Sequence, residues 1–290
     1  MEHEVETGLR CVLAPNPSPM TFKGTNTYLI GTEEIIVIDP GPNMPNHLSN
    51  LLSAIGSAKV HAILVTHSHL DHSGLARPLA AATGAPVLAA GDSTFGRSAV
   101  MAGLAASGAV GGGEGIDQDF VPDGQLTPGA VVSAGDHQVD VIPTPGHMAN
   151  HLSFAWNGAV FSGDLVMDWS TSLISPPDGD MGAFFASLDR LSARHDRIFY
   201  PGHGAPVADP AARLEALRKH RRAREAAILA ALDAGPAIPA DLVARIYTEI
   251  DAALMPMAER NVLAHLIDLS EKGIVDTARP LTPGNVFMQR

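Results

Sequence analysis

Thr66-His67-Ser68-His69-Leu70-Asp71-His72-Ser73-Gly74 gathers four side chains of the kind that bind metal ions into six residues. The stretch directly follows an apolar run, Val60 to Thr66, that reads as a strand. Extended backbone sends alternate side chains to one side, so His67 and His69 share a direction at the strand end. A turn after them presents Asp71 and His72 to an adjacent point. Neutral imidazole and carboxylate are ligands for zinc, and four of them at this density suit two neighbouring ions. In a chain with thirteen histidines the pattern would arise by chance on the order of 0.002 times, which leaves little room for a polar loop with incidental histidines.

Three more candidate ligands sit where short apolar runs give way to glycine-containing turns: His147 in Thr144-Pro145-Gly146-His147, Asp164 in Phe161-Ser162-Gly163-Asp164, and His203 in Pro201-Gly202-His203-Gly204. Any one of them alone reads as a turn residue; after so dense a cluster, all three read as ligands. Asp39, in Ile38-Asp39-Pro40-Gly41, is a candidate to hold the second nitrogen of a ligand histidine, with turn capping as the plain alternative. His151 follows His147 in the same segment and is expected to face the same pocket as proton donor or substrate contact, against the plain reading of a strand-edge histidine. Tyr28, with Asn26 and Thr27 beside it, is a further candidate for a hydrogen bond to substrate; a half-buried strand tyrosine is its alternative.

The scaffold must deliver these residues from many strand ends. At 290 residues, 46% hydrophobic and 17% charged, the chain is globular and long enough for two domains. Strands are predicted near Val5 to Leu13, Thr25 to Ile30, Ile35 to Ile38, Val60 to Thr66, Val87 to Ala89, Ala130 to Ser133, Gln138 to Ile142, Leu152 to Trp156, Ala159 to Phe161 and Ile198 to Tyr200. Helices are predicted near His47 to Ile55, Leu75 to Ala82, Ser93 to Ala106 and Met181 to Ala193, which together with the strands gives layered α/β architecture. From residue 206 the pattern turns helical, over Pro210 to Leu232, Pro239 to Tyr247 and Met257 to Lys272. Two short strands follow around Thr282-Pro283-Gly284-Asn285, where Pro then Gly suits a type II turn. Three helices and a β-ribbon predict a winged-helix-like domain over 206–290, after a catalytic domain over 1–205.

Charge divides at the same place. Residues 1–205 hold 8 Lys or Arg against 20 Asp or Glu and the remainder 11 against 11, so the whole net charge of -12 lies in the first part. That balance argues against bulk attachment to nucleic acid or anionic lipid. Cys11 is the only cysteine, which excludes an intramolecular disulfide and a thiolate zinc site. The acidic start and the lack of any apolar run approaching ~20 residues predict a cytoplasmic protein with no membrane span. The glycine-rich stretch 108–115 is expected to be a mobile loop and, with Met20 and Phe22, to form an apolar wall beside the cleft.

Taken in order, the Thr66–Asp71–His72, Thr144–His147, Ser162–Asp164 and Pro201–Gly204 motifs resemble those of the metallo-β-lactamase-fold superfamily. The resemblance implies a four-layer αββα sandwich, an α/β (α+β) fold, with a metal site at one edge. Asn16 to Met20, Gly24 to Tyr28, Ile38 to Gly41 and Ala258 to Leu266 are similar to the lactamase-beta-2-like branch, which carries a winged-helix-like tail. By that resemblance His67, His69 and His147 bind one metal, Asp71, His72 and His203 the other, and Asp164 bridges the two. Two Zn2+ are expected, with Mn2+ or Fe2+ as alternatives. A shared hydroxide would attack an ester, lactone, thioester or phosphodiester while Asp71 orients it or relays its proton.

Substrate is less determined. Zinc β-lactamases lack a counterpart of Asp164 and are exported, which argues against β-lactam turnover. The resemblance also carries an alternative, single-stranded RNA endoribonuclease activity, and Arg218-Lys219-His220-Arg221-Arg222-Ala223-Arg224 could hold phosphates or be only a solvated helix face. A non-catalytic nucleic-acid-binding protein is the reading least favoured, because structural zinc sites are closed four-ligand sets. Expected partners are therefore a small-molecule or single-stranded RNA substrate, and a homodimer is allowed.

Overall fold

The computed structural model describes residues 2–108, 115–248, 251 and 254–290. Its first sheet has seven strands in chain order: β1 (Glu2–Glu6), β2 (Leu9–Leu13), β3 (Asn26–Ile30), β4 (Glu34–Ile38), β5 (Lys59–Leu64), β6 (Val87–Ala89) and β7 (Gly124–Gln125). Pairing is antiparallel as far as β4 and parallel from there on. Helix α1 (Pro45–Ile55) crosses from β4 to β5, the single turn α2 (Leu70–Ser73) and α3 (Ala76–Thr83) from β5 to β6, and α4 (Ala99–Ala106) from β6 to β7.

The second sheet is a meander of β8 (Val131–Ala134), β9 (His137–Pro143), β10 (Leu152–Trp156) and β11 (Ala159–Gly163), extended by a parallel strand β12 (Ile198–Pro201) after the crossover helix α5 (Met181–Ser192). Strand alternation sorts the side chains into layers. Ile36 and Ile38 of β4 join Leu152, Phe154 and Phe161 in the core between the sheets, while Ile35 and Val37 face outward against α1 and α3. A bulge in β5, where Val60 pairs with Ile35 but Ala62 with Ile36, puts Val60 and Ala62 on opposite faces despite their even spacing. On the far side, Phe184 and Leu188 of α5 cover the second sheet. The result is helix, sheet, sheet, helix.

The remaining elements are α6 (Pro210–Asp233), α7 (Pro239–Ile246), α8 (Met255–Glu271) and a hairpin of β13 (Val275–Thr277) with β14 (Phe287–Gln289). Asp209 caps α6 by accepting from the Ala212 N–H at 3.0 Å, and Pro210 sits in the first turn, where no donor is lost. Ile228, Leu232, Leu242, Leu263, Leu266 and Phe287 form a core that also takes in Met101 and Leu104 of α4.

Several sequence expectations change. Val5 to Leu13 is not one strand but the β1–β2 hairpin, reversed at Gly8, whose φ of +79° costs glycine little. The helix expected from Ser93 starts at Ala99, with the Ser98 hydroxyl as its cap. Gly284 does not take positive φ, so the turn there is not type II. Residues 109–114 of the expected mobile loop lie outside the described residues. Among the described residues, no helix is long and apolar enough to cross a membrane.

Candidate metal centre

The chain runs on from β5 to Thr66, whose carbonyl accepts the Leu152 N–H at 2.7 Å, so the cluster begins where the two sheets meet. His67 follows at once, His69 occupies the cap position of α2, and Asp71 and His72 ride on that single turn. His147 lies on the loop between β9 and β10, Asp164 just beyond β11, and His203 just beyond β12. All seven expected ligands therefore come to one edge of the sandwich.

Their atoms converge. His67 Nε2 lies 2.9 Å from His69 Nδ1, which lies 3.1 Å from His147 Nε2. His203 Nε2 is 3.1 Å from Asp71 Oδ2 and 3.3 Å from His72 Nε2. Asp164 stands between the groups, with Oδ1 3.3 Å from His72 Nε2 and Oδ2 3.4 Å from His203 Nε2 and 3.9 Å from His147 Nε2. His67, His69 and His147 form one trio, Asp71, His72 and His203 another, and His67, His72 and Asp164 a third that links them, the ligand atoms of each lying within 4.8 Å of one another.

Hydrogen bonds on the far side of each ring decide which nitrogen carries the lone pair. His147 Nδ1 donates to the Leu173 carbonyl at 2.7 Å and His203 Nδ1 to the Gly24 carbonyl at 3.1 Å; a carbonyl can only accept, so in the neutral ring of each it is Nε2 that carries the lone pair. His72 Nδ1 donates to Asp39 Oδ2 at 2.8 Å. Thr66 spends its hydroxyl proton on Asp39 Oδ2 at 2.8 Å and must therefore accept from His67 Nδ1 at 3.0 Å. Asp39 thus orients two ligands while its Oδ1 takes the Thr66 N–H at 2.7 Å, and it does so at φ +51°, a left-handed conformation that costs a non-glycine residue on the order of 1 kcal/mol.

Electrostatics favour positive charge in the centre. Burial alone would lower His72, but Asp164, Asp71 and Asp39 lift it well above the usual imidazole range, and His203 rises to about 9 against burial through Asp164 and Asp71. Burial opposes ionisation of Asp71 too, yet His72 and His203 bring it to about 2. At the other end burial, then His147, depresses His69 to about 3.

Two cavities open on the cluster. One, of about 330 Å3, is lined by His69, Asp71, His147, Asp164 and His203, with Arg260 of α8 on its wall. The second, of about 370 Å3, shares Met20, His147, Asp164, Leu173 and Met257 with it and extends toward α6. Met20 is a wall, as expected, whereas Phe22 stacks on Trp169 with ring centroids 5.0 Å apart.

The outer candidates divide. Asp39 meets a ligand histidine. Tyr28, 4% exposed, gives its hydroxyl to the Pro201 carbonyl at 2.8 Å, and Asn26 donates to the Pro201 and Gly204 carbonyls at 3.0 Å each. Both clamp the loop carrying His203, and the substrate hydrogen bond expected of them is corrected accordingly. His151, 1% exposed, lines neither cavity: it bonds Thr144 Oγ1 at 2.9 Å and lies beside His67 with ring centroids 5.1 Å apart, while its buried Nε2 has no hydrogen-bond partner among the described residues. Sequence reasoning missed Thr66 as a relay, although it heads the motif, and Arg260, quoted only within a resemblance.

Fold, ligand-type cluster and adjoining tail define a metal-dependent hydrolase. Residues 20–203 match the metallo-beta-lactamase superfamily and residues 239–279 the beta-lactamase associated winged helix domain. The chain belongs to the metallo-beta-lactamase superfamily. It is 31% identical over 277 residues to the beta-lactamase-like protein 2 homolog of Drosophila melanogaster, covering 90% of this chain and 87% of that protein. It is also 31% identical to the lactamase-like protein nscB of Trichophyton rubrum, covering 79% of this chain but only 64% of that longer protein. A metallo-beta-lactamase family protein from Thermus thermophilus superposes over 99% of this chain and 100% of its own, at TM-score 0.78 and 27% identity.

Proposed function

We propose that this hydrolase works with two divalent cations, zinc by preference of the ligand set and manganese or iron as alternatives, and cleaves an ester, lactone, thioester or phosphodiester. One observation carries the reading: three overlapping trios of ligand atoms within 4.8 Å, their lone pairs turned inward by bonds on the outer ring nitrogens. The donor set fits such ions. It is all nitrogen and oxygen, and Asp164 Oδ1 is buried without an aligned hydrogen-bond donor. His67, His69 and His147 would hold one cation and Asp71, His72 and His203 the other, with Asp164 shared.

Bound there, the cations supply Lewis acidity and a water acidified toward neutrality. The protein's part is orientation and proton handling. Asp39 and Thr66 fix His72 and His67, and Leu173 and Gly24 fix His147 and His203. Asp71 lines the cavity wall, where its carboxylate takes the proton of the attacking water and returns it to the leaving group. A small substrate is favoured over single-stranded RNA by the basic run itself: Arg218 is engaged by Asp189 and Glu215 and Arg222 by Glu225, which leaves no continuous stripe. Cytoplasmic action as a soluble enzyme, monomeric or as a homodimer, belongs to the same reading.

The test is metal content per chain followed by turnover of a thioester, a lactone, a phosphodiester, single-stranded RNA and a β-lactam. Asp164→Ala should lose metal and turnover together; full metal loading with unchanged turnover would sink the shared-ligand assignment.

A further inference from the structure

The second cavity has a chemistry the metal cluster does not explain. It runs from His147 and Asp164 past Leu173 and Met257 to a far end lined by His220, Arg224 and Tyr247, side chains of the C-terminal helices and the segment after them. Arg224 lies over the Tyr247 ring, 4.5 Å from its centroid, and among the described residues it pairs with no carboxylate. Its neighbours in the basic run differ. Arg218 and Arg222 are neutralised by acidic partners, and Arg221 is buried, donating to Asn261 Oδ1 at 3.2 Å and to the Ser172 carbonyl.

Two buried N–H donors on the wall of this cavity, Trp169 Nε1 and Arg221 Nε, have no acceptor among the described residues. Buried donors are nearly always paired in native proteins, so a wall that carries two of them beside a cation asks for an acceptor that the described residues do not supply. Arg suits oxyanions because its planar fork meets two oxygens at once, and stacking on an aromatic ring holds that fork in one plane. Leu254, Met257 and Met167 give the lining an apolar part that suits the stem of a small molecule, beside the polar Ser170, Thr171 and Asn261.

We propose that this cavity seats an oxyanion, a carboxylate or phosphate, carried by the substrate at the end opposite its scissile bond, with Arg224 as the principal contact and the Trp169 and Arg221 N–H groups as supplementary donors. The proposal rests on the small-molecule hydrolase reading and names its substrate class: an anion-tailed ester or thioester. Three members of the basic run, His220, Arg221 and Arg224, line the cavity, and Arg221 already donates to Ser172 and Asn261, so Arg224 is the cation left to meet one anionic group rather than a phosphate chain.

Trp169 lies in the wall and reports occupancy directly. The holoenzyme is titrated by tryptophan fluorescence with phenyl phosphate, with 3-phenylpropionate and with neutral 3-phenylpropanol, in wild type, Arg224→Ala and Arg224→Lys. The expected result is saturable binding of at least one anion, with Kd raised about tenfold or more in Arg224→Ala, partly recovered in Arg224→Lys, and with the alcohol's Kd unmoved. Whichever anion shows the loss identifies the oxyanion. Equal anion affinity in wild type and Arg224→Ala overturns the proposal, since binding would then lie at the metal end alone. In parallel, kcat/KM for a carboxylate-ended thioester over its methyl-ended counterpart should fall about tenfold in Arg224→Ala, through KM. If the wild-type enzyme turns over no ester at all, the hydrolase reading fails on that count while the fluorescence titration still decides the anion site.

Discussion

His147 donates its Nδ1–H to the Leu173 carbonyl at 2.7 Å, and the carbonyl one residue earlier, that of Ser172, accepts from Arg221 of α6. Two consecutive peptide groups thus join a candidate metal ligand to the C-terminal helices. Replacing Arg221 by Met keeps the stem but removes the charged hydrogen bonds to Ser172 and Asn261. The expected cost is about 2–3 kcal/mol in urea unfolding, accompanied by faster loss of metal to a chelator. Lost stability with metal retention unchanged would show that the strap does not act on His147.

Asp39 accepts from the Thr66 N–H, the Thr66 hydroxyl and His72 Nδ1. Asp39→Asn preserves shape and one acceptor but turns a donor toward His72. Metal affinity measured by chelator competition should fall about 10–100-fold, with every direct ligand still in place.

Gly202 leaves no room for a side chain: a Cβ there would lie 2.5 Å from His72 Cε1 and 2.6 Å from Asp164 Oδ1. Gly202→Ala should lower metal content per chain and destabilise by about 1–3 kcal/mol. Gly103→Ala, in α4 with nothing within 4 Å of the added carbon, is the control and should be neutral or slightly stabilising. Equal behaviour of the two variants would remove the steric explanation.

Among the described residues, buried His265 has no partner at either ring nitrogen, and it is pushed down to about 3 by burial, then by Arg221 and Arg224. Its folded-state pKa lies below the unfolded value, so the unfolded chain binds the extra proton between about pH 6.5 and 3. Stability therefore falls as pH falls through that window. His265→Leu removes this component and should gain about 2 kcal/mol relative to wild type on going from pH 7.5 to 5, read from denaturant melts at the two pH values. Parallel pH dependence in the two proteins would contradict it.

Chelation gives the broadest check. Dialysis against a strong chelator should abolish turnover, and restoring zinc, manganese or iron separately should rank the metals by recovered rate. Activity that survives complete metal removal would refute the metal-dependent mechanism.

The seven ligand-type residues were legible because their signal is local: Thr66 to Gly74 carries four of them in sequence, and His147, Asp164 and His203 each follow a glycine shortly after a strand. Most strands were legible as short β-branched runs, as in Ile35 to Ile38, but the two-residue strand Gly124–Gln125 and the reversal at Gly8 were not. Burial was harder to read. Tyr28 and His151 have polar atoms that suggest contact with substrate, but the sandwich closes over them, and only the assembled layers show that Tyr28 points at Pro201. Arg221 and Arg260 were out of reach for the opposite reason. Their positions depend on how α6 and α8 dock against the 168–173 loop, and no periodicity within either helix encodes that docking.

The cavity walls have a divided origin. The ligand-type side chains all lie at or before His203, whereas Arg224, Tyr247, Met257 and Arg260 come from the last third of the chain. A lineage built this way can alter its diet at Arg224 or Tyr247, which line the second cavity, while Arg221, joined to His147 through Ser172 and Leu173, ties α6 to the candidate metal ligands.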